Sequence, residues 1–281
     1  MRLGFHLSIA GSLTRAIVQA EKLGCEALQI FVQNPGSWKW RAVPAAEIRR
    51  FVVARRRLGL WPLVVHLTYL PNLATPDPRL QQLSRERFYR ELALARDLEA
   101  DFLVAHPGHG PLAEETFQRA AQTLAWAISR LGPPPLVLLE NTAGQGREIG
   151  YRPDQLQRLI DLSGVPLGLC LDTAHAFGAG YDLRHPAGVN RLLADLARGP
   201  GLKRLKMLHL NDSRAPLASR VDRHWHLGQG AIGLAGLRQF LSHPWLAVAA
   251  AIMETPKKHP ADDWRNLLVA RSLVAGPALL P

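Results

Sequence analysis

In the stretch Leu169-Cys170-Leu171-Asp172 a short apolar run ends on a carboxylate, and this pattern occurs six times along the chain. The other five runs end on histidine or glutamate: Val64-Val65-His66, Leu103-Val104-Ala105-His106, Val137-Leu138-Leu139-Glu140, Met207-Leu208-His209 and Ala251-Ile252-Met253-Glu254. Short apolar runs of this kind are typical of parallel strands that are buried on both faces. Because every polar residue stands at the carboxyl end of its run, the pattern predicts that these side chains meet at one end of a parallel barrel.

Helix-like segments separate the strand-like runs. Leu13 to Leu23 and Ala45 to Leu58 are amphipathic, and each is followed by a glycine, which is a common helix stop. Gly4-Phe5-His6 and Ala27 to Phe31 bring the strand-like segments to eight. Strand and helix alternating eight times favours a single α/β domain over residues 1–281, a (β/α)8 TIM barrel. Residues 276–281 are expected to form a frayed tail.

The composition argues against several classes of protein. Hydrophobic residues make up 47% of the 281 residues, which is enough for a large core. No apolar stretch reaches the roughly 18–20 residues that span a bilayer. Cys25 and Cys170 are far apart and offer neither a disulfide framework nor a thiolate metal site. We therefore expect a cytoplasmic protein with no membrane contact and no obligate protein partner.

The net charge of +11 indicates attraction to polyanions, and nucleic acid is the first of these to consider. A basic surface that serves only solubility would have the same composition. The choice between the two interpretations therefore depends on the loops that follow the strands.

Two of these loops add further acidic and imidazole side chains. Asp172-Thr173-Ala174-His175 places a histidine three residues after a strand-end aspartate, and Asp222-Arg223-His224 adds a second pair. With the six strand ends, the candidate metal ligands number nine: His66, His106, Glu140, Asp172, His175, His209, Asp222, His224 and Glu254. Imidazole and carboxylate donors suit zinc or manganese, and nine of them match three ions if one carboxylate bridges. A metal cluster at the C-terminal face of the strands is suited to phosphate chemistry.

Longer motifs surround these ligands. They are residues 171–182 (LDTAHAFGAGYD), 209–213 (HLNDS), 222–224 (DRH), 227–233 (LGQGAIG), 139–146 (LENTAGQG) and 106–108 (HPG). Together they resemble the endonuclease IV family, the metal-dependent abasic-site endonucleases of base-excision repair, over essentially the whole chain. The resemblance implies a DNA repair enzyme that hydrolyses the phosphodiester 5′ to an abasic site. The products would be a 3′-hydroxyl and a 5′-deoxyribose phosphate, and 3′-blocking groups would also be removed.

The resemblance also implies a role for each ligand. One metal would be held by His66, His106 and Glu140. A second would be held by Glu140, Asp172, His209 and Glu254, and a third by His175, Asp222 and His224. In the family, a hydroxide between the first two metals attacks the phosphate, the third metal stabilises the leaving 3′ oxygen, and Glu140 and Glu254 are the catalytic residues that orient the nucleophile. Three Zn²⁺ ions are expected, with Mn²⁺ as the alternative in one or more sites, and His6 is expected to hydrogen-bond to the ligands.

The implied partner is double-stranded DNA that contains abasic sites. By resemblance, Tyr69 and Leu70 enter the helix at the lesion, and Asn34 and Trp38 belong to a second probing loop. Arg223 is a further candidate DNA contact, and simple packing over the barrel mouth is the alternative role for Trp38. Many relatives carry an inserting arginine where this chain has Gly36, so the candidates to replace it are Lys39, Trp40 and Arg41.

Two other functions remain open at this point. A sugar isomerase or epimerase can use the same barrel and a His/Glu/Asp metal site, and the fold alone does not separate it from a nuclease. Such enzymes typically use one or two metals, lack the Asp222–His224 pair and need no strongly basic surface. A nucleic-acid-binding module without catalysis is the third possibility, and the nine intact ligands argue against it.

Overall fold

The eight strand-like segments form parallel strands that close into a barrel in this computed structural model. The structure describes residues 1–275. The barrel strands are β1 Arg2–Leu7, β2 Ala27–Ile30, β3 Leu63–His66, β4 Phe102–Ala105, β5 Leu136–Glu140, β6 Leu167–Asp172, β7 Leu205–His209 and β10 Ala250–Met253. Two short strands, β8 Asp212–Ser213 and β9 His224–Trp225, pair antiparallel between β7 and β10. The TIM barrel predicted from the sequence is confirmed, and the tail expected at residues 276–281 lies outside the described residues.

The helices cover the outside of the barrel, except that the short helix directly after β6 lies at the C-terminal face. They are α1 Leu13–Leu23, α2 Ala45–Leu58, α3 Pro78–Asp97, α4 Glu114–Arg130, α5 Pro153–Ser163, α6 Thr173–Gly178, α7 Pro186–Arg198, α8 Gly233–Leu241 and α9 Asp262–Val274. The boundaries of α1 and α2 agree with the sequence analysis, because Gly24 and Gly59 adopt the left-handed conformation that ends a helix. No helix of residues 1–275 combines the length and the apolar character that crossing a membrane requires.

The order of the strands follows the chain. Going round the barrel, β1 is bonded to β2 on one side and to β10 on the other, and each remaining barrel strand pairs with its neighbours in sequence. All these pairs are parallel, so every barrel strand ends at the same rim. The eight carboxyl ends therefore form one face, on which the strand-end side chains meet.

Two apolar layers hold the barrel together. The larger one packs the strands against the helices, and Phe5, Leu28, Phe51 and Phe88 are fully buried in it. The smaller layer fills the inside of the barrel and consists of Ala27, Val64, Val104, Leu138, Cys170, Met207, Ala250 and Ile252. Residues two apart on a strand point to the same side, so the residue two positions after an interior residue also faces the barrel axis.

Two local elements, α6 and the β8–β9 pair, were not predicted from the sequence. Helix α6 begins directly at the end of β6, with no loop between them, because the side chain of Asp172 caps it by accepting the backbone N–H of His175 at 2.7 Å. The β8–β9 pair is too short for a periodic pattern, and each strand contributes two residues. Both elements lie at the C-terminal face and carry candidate ligands.

Candidate metal centre

Six of the candidate ligands occupy equivalent positions in the barrel. Each lies two residues after an interior apolar residue: His66 after Val64, His106 after Val104, Glu140 after Leu138, Asp172 after Cys170, His209 after Met207 and Glu254 after Ile252. The period of two along a strand therefore directs all six side chains toward the barrel axis, one layer above the apolar interior. This placement explains why they meet although they are far apart in sequence.

His66, His106 and Glu140 form the first group of possible metal ligands. Nε2 of each histidine lies 3.1 Å from Oε2 of Glu140. Nδ1 of His66 is 2.7 Å from the carbonyl oxygen of Leu67, which can only accept a hydrogen bond. The proton of that ring therefore belongs on Nδ1, and Nε2 presents its lone pair to the group.

Glu140, Asp172, His209 and Glu254 form the second group. Nδ1 of His209 lies 2.9 Å from Oε1 of Glu140 and 3.3 Å from Oε2 of Glu254. Glu140 is fully buried and directs Oε2 to the first group and Oε1 to the second. A carboxylate that bridges two metal ions requires this orientation.

His175, Asp222 and His224 come together from α6, from the segment before β9 and from the start of β9. The Nε2 atoms of the two histidines are 3.3 Å apart, and Oδ1 of Asp222 lies 3.2 Å from the first and 3.4 Å from the second. Asp172 also reaches this histidine pair, because its Oδ2 is 3.4 Å from Nε2 of His224. The expected third group has a single carboxylate, Asp222, whereas the structure brings a second one, Asp172, to the same histidines.

The charges in the cluster fit divalent cations. In the described part of the chain, the four carboxylates form ion pairs with histidines and none with lysine or arginine. Burial would raise the pKa of Glu140, but the charges of His209 and His106 hold it well below its usual range. Burial would lower the pKa of His175, but the carboxylates of Asp172, Asp222 and Glu140 raise it well above the ordinary value. Oxygen and imidazole donors held this close together, without thiolates, suit zinc or manganese.

Two asparagines fix the orientation of candidate ligands. Nδ2 of Asn211 donates to Oδ2 of Asp172 at 2.7 Å, and its Oδ1 accepts the backbone N–H of Glu254 at 2.8 Å. Oδ1 of Asn141 accepts the backbone N–H of Asp172 at 2.7 Å, and its carbonyl oxygen lies 2.8 Å from Nδ1 of His175. Both residues stand inside motifs recognised from the sequence, which gave them no role of their own.

Gln29 and His6 complete the ring of polar side chains on β2 and β1. Nε2 of Gln29 donates to Oε1 of Glu254 at 2.7 Å, and its Oε1 lies 2.8 Å from Nε2 of His209. Nδ1 of His6 lies 3.1 Å from the same oxygen of Glu254. His6 is therefore within hydrogen-bonding distance of a candidate ligand, as expected from the sequence. Gln29 was not predicted to lie in the site, although its position two residues after interior Ala27 follows the same period as the candidate ligands.

Asp212 is an acidic residue near the cluster with a different environment. Its carboxylate accepts backbone N–H groups from five residues of the adjoining chain: Ser213, Gly228, Gly230, Ile232 and Gly233. Gly230 is required here, because a Cβ would collide with the carbonyl oxygen of Ser213. Asp212 thus holds the 228–233 loop in place, and its oxygens are already occupied by donors.

The candidate DNA contacts surround the mouth of the barrel. Tyr69 is 69% exposed and lies beside Phe31, with ring centroids 5.1 Å apart, while Leu70 after it is half-buried. Trp38 is 38% exposed, so part of its ring is accessible to a ligand. Arg223 is exposed, and its guanidinium donates to the carbonyl oxygen of Asp222 at 2.7 Å. Asn34 is exposed and accepts the backbone N–H of Gly36 through its side chain at 3.0 Å.

The three residues considered as replacements for an arginine at position 36 have different surroundings. Arg41 pairs with Glu47 at 3.4 Å, and Trp40 lies under the guanidinium of Arg90, 4.0 Å from its ring centroid. Lys39 is exposed. It also lines a cavity of about 670 Å³ between the loops that follow β1 and β2. A smaller cavity of about 190 Å³ opens beside His66, His106 and Asp222.

Comparison with known proteins gives consistent matches along the chain. A family model described as "Xylose isomerase-like TIM barrel" matches residues 17–270. A protein of Chloroflexus aurantiacus named "Probable endonuclease 4" is 41% identical, over 98% of this chain and 99% of its own length. A protein of the same name from Chloroflexus aggregans is 42% identical, over 97% of this chain and 98% of its own length.

Solved structures agree with these sequence matches. The crystal structure of endonuclease IV from Thermus thermophilus superposes with a TM-score of 0.88 at 38% identity, covering 98% of this chain and 99% of that one. A D-tagatose 3-epimerase-like protein superposes with a TM-score of 0.72 at 19% identity, covering 98% and 97%. The second similarity shows a shared fold alone.

Proposed function

The chain belongs to the endonuclease IV family, and we propose that it hydrolyses the phosphodiester 5′ to abasic sites in double-stranded DNA. Membership makes it a metal-dependent endodeoxyribonuclease of DNA repair. The products of the proposed reaction are a 3′-hydroxyl and a 5′-deoxyribose phosphate, and 3′-blocking groups are removed at the same site. The observation that carries the proposal is the convergence of His175, Asp222 and His224 beside the six strand-end ligands.

We propose that the nine ligands hold three ions, with zinc in each site and manganese as the alternative occupant. The first would be bound by His66, His106 and Glu140, the second by Glu140, Asp172, His209 and Glu254, and the third by His175, Asp222 and His224. Metal ions in such a cluster neutralise phosphate charge, lower the pKa of water and stabilise a leaving oxygen. Asp172 lies between the second and third groups, so it is a candidate to contact both.

The residues of the chain have distinct tasks in this proposal. Glu140 belongs to both of the first two groups and Glu254 to the second, so both would stand next to the attacking water and help to orient it. Gln29 and His6 hold Oε1 of Glu254, which leaves its Oε2 directed toward His209. Two fixed carboxylates on one side of the scissile phosphate would favour attack from a single direction.

Opening the duplex is assigned to the loops around the mouth. Tyr69 and Leu70 would enter the base stack at the lesion, and Asn34, Trp38 and Arg223 would contact the flanking nucleotides. Unstacking a step costs roughly a few kcal/mol, which contacts to the bent duplex must offset. Exposed aromatic side chains such as Tyr69 and Trp38 offer the stacking surface that this requires.

We propose that this activity takes place in the cytoplasm and that it needs no obligate protein partner. Both cysteines are free thiols, and Cys170 is buried inside the barrel. Burial raises the pKa of its thiol to about 12, so it stays protonated and unreactive near neutral pH. Nothing in this arrangement depends on an oxidising compartment.

The test is incision of a duplex that carries one abasic site. We expect a single cut 5′ to the lesion, loss of cutting after treatment with a chelator and recovery on addition of Zn²⁺. The same duplex without a lesion is the substrate control, and Glu140→Gln is the variant control, because it removes the proposed bridging charge. Absence of incision by metal-loaded protein, together with turnover of a ketohexose, would instead support the sugar isomerase or epimerase alternative.

A further inference from the structure

Two probing loops of the proposed DNA site are attached to the same buried ion pair on α3. Loop A comprises residues 33–41 and follows β2, and loop B comprises residues 67–71 and follows β3. Arg87 and Glu91 lie one turn apart on α3 and form an ion pair through Nε and Oε1. Their side chains are 5% and 0% exposed, so the pair is shielded from solvent.

Arg87 makes its remaining contacts with loop A. Its Nη1 donates to the carbonyl oxygens of Ser37 and Trp38 at 3.3 and 3.4 Å. Its Nη2 donates to the carbonyl oxygen of Asn34 at 3.4 Å. The guanidinium also lies 5.5 Å from the ring centroid of Trp40. One planar group therefore holds four residues of this loop in a fixed arrangement.

Glu91 makes its remaining contacts with loop B. Its Oε2 accepts the backbone N–H of Thr68 at 3.1 Å, and its Oε1 accepts the Thr68 hydroxyl at 2.5 Å. Thr68 stands directly before Tyr69, the exposed residue assigned to the wedge, and two residues after His66. The carboxylate thereby restrains the backbone from which the wedge projects.

We propose that the Arg87–Glu91 pair positions loop A and loop B relative to each other, so that Trp38 and Tyr69 meet the duplex with fixed separation. This inference rests on the proposed function, since it assigns both loops to the opening of DNA. An exposed side chain can separate stacked bases only if the backbone that carries it stays in place. A loop is held in place by buried side chains that hydrogen-bond to its backbone. A buried pair is suited to this task, because neither charge can separate from the other without a large desolvation cost.

Arg87→Lys is the variant that isolates the positioning role. Lysine keeps the charge beside Glu91 but lacks the planar fork that reaches three carbonyl oxygens. Removing the positive charge of residue 87 altogether is less informative, because it would also change the protonation of Glu91. Burial raises the pKa of Glu91, and the hydrogen bond and charge of Arg87 oppose that rise. Thr68→Val is the second variant, since it deletes one bond from Glu91 to loop B and preserves the size of the side chain.

The experiment measures incision kinetics and base unstacking with an abasic duplex that carries 2-aminopurine next to the lesion. For both variants we expect kcat/KM to fall by roughly ten- to a hundredfold, the range that displacement of a positioning group causes. The rise in 2-aminopurine fluorescence before incision should shrink, while metal content and circular dichroism match the parent. Arg85→Lys is the matched control, because Arg85 is on the same helix and its guanidinium stacks on Trp126 instead.

Each outcome decides between the alternatives. Unchanged kcat/KM and unchanged fluorescence in Arg87→Lys and Thr68→Val would overturn the positioning role. Loss of metal or of helical signal in parallel with activity would also overturn it and would make the pair a support of the fold. A parent protein that does not incise the abasic duplex would refute the proposed function itself, which is a separate result.

Discussion

At the scale of single residues, the barrel interior is apolar, and the inward-facing side chains at the carboxyl ends of its strands are polar. The interior residues Val64, Leu138 and Met207 are apolar, and the residues two positions later are ligand candidates. Gln29 obeys the same rule but has an amide, which can donate and accept at once. It therefore connects two ligands, His209 and Glu254, without competing for a cation.

Replacing Gln29 tests this connection. In Gln29→Leu, Nε2 of His209 loses its acceptor and Oε1 of Glu254 loses a donor, so the affinity of the second group for metal should fall roughly ten- to a hundredfold. Zinc release to a colorimetric chelator at about pH 7.5, where an unperturbed histidine is mostly neutral, measures this change. Gln82→Leu, an exposed exchange of the same kind on α3, is the control. Equal zinc retention in all three proteins would show that Gln29 does not support His209.

Protons compete with metal for the same histidines. The neighbouring carboxylates raise the pKa of His175 well above its ordinary value against the effect of burial, so the metal-free site holds its proton tightly. A metal ligand must be the neutral ring, and binding therefore releases protons. The sign follows: apparent metal affinity should fall as pH decreases, beginning at a higher pH than for an isolated imidazole. Metal titrations at several pH values would contradict this if the affinity stayed constant between about pH 8 and 6, the range around the ordinary histidine pKa.

At the scale of elements, the C-terminal face gains its third group from α6 and β9. Asp172 ends β6 and caps α6, so His175 is placed one turn above the barrel rim. The pairing of β8 with β9 brings His224 opposite Ser213, and Asp222 precedes it. Two short elements thus extend a site that the barrel strands leave at six ligands.

His224→Ala tests the contribution of β9. We expect a loss of about one metal ion per chain and a fall in turnover by orders of magnitude, with the fold retained, because His224 lies outside the apolar layers. Metal analysis by mass spectrometry and single-turnover incision measure the two effects. His243→Ala, which changes a half-buried histidine after α8, away from the ligand cluster, is the control. Retained incision with unchanged metal content would contradict the three-ion proposal.

At the scale of the whole molecule, the barrel places a negatively charged ligand cluster within a chain of net charge +11. The carboxylates are concentrated at the axis, whereas Arg223, Lys39 and Arg41 lie exposed around the mouth. A duplex approaching this face would meet cationic side chains before it reaches the acidic groups. Phosphate attraction is therefore expected to contribute to binding over a large area.

The salt dependence of binding tests this electrostatic role. Affinity for an abasic duplex should fall steeply between low and physiological salt, because each phosphate contact releases counterions. Fluorescence anisotropy with the chelated protein measures the affinity without incision. Circular dichroism at each salt concentration is the control for the fold. A log–log slope near zero would count against binding through phosphate neutralisation.

The amino-acid sequence by itself determined the barrel and the six strand-end ligand candidates. Apolar runs and a period of two require only local information, so His66, Glu140 and Glu254 could be assigned to one face before any contact was known. The glycine stops of α1 and α2 were equally local, since Gly24 and Gly59 adopt a conformation that other residues avoid.

Only the tertiary structure decided which distant groups meet. Nothing near Gln29 in the sequence indicates His209 and Glu254 as its partners, and Arg87 gives no local sign of the two loops that its ion pair holds. The approach of Asp172 to His224, beside Asp222, likewise depends on how β6, α6 and β9 pack. The physical reason is that hydrogen bonds and ion pairs act over a few ångströms in space. Closure of the barrel, rather than separation along the chain, sets those distances.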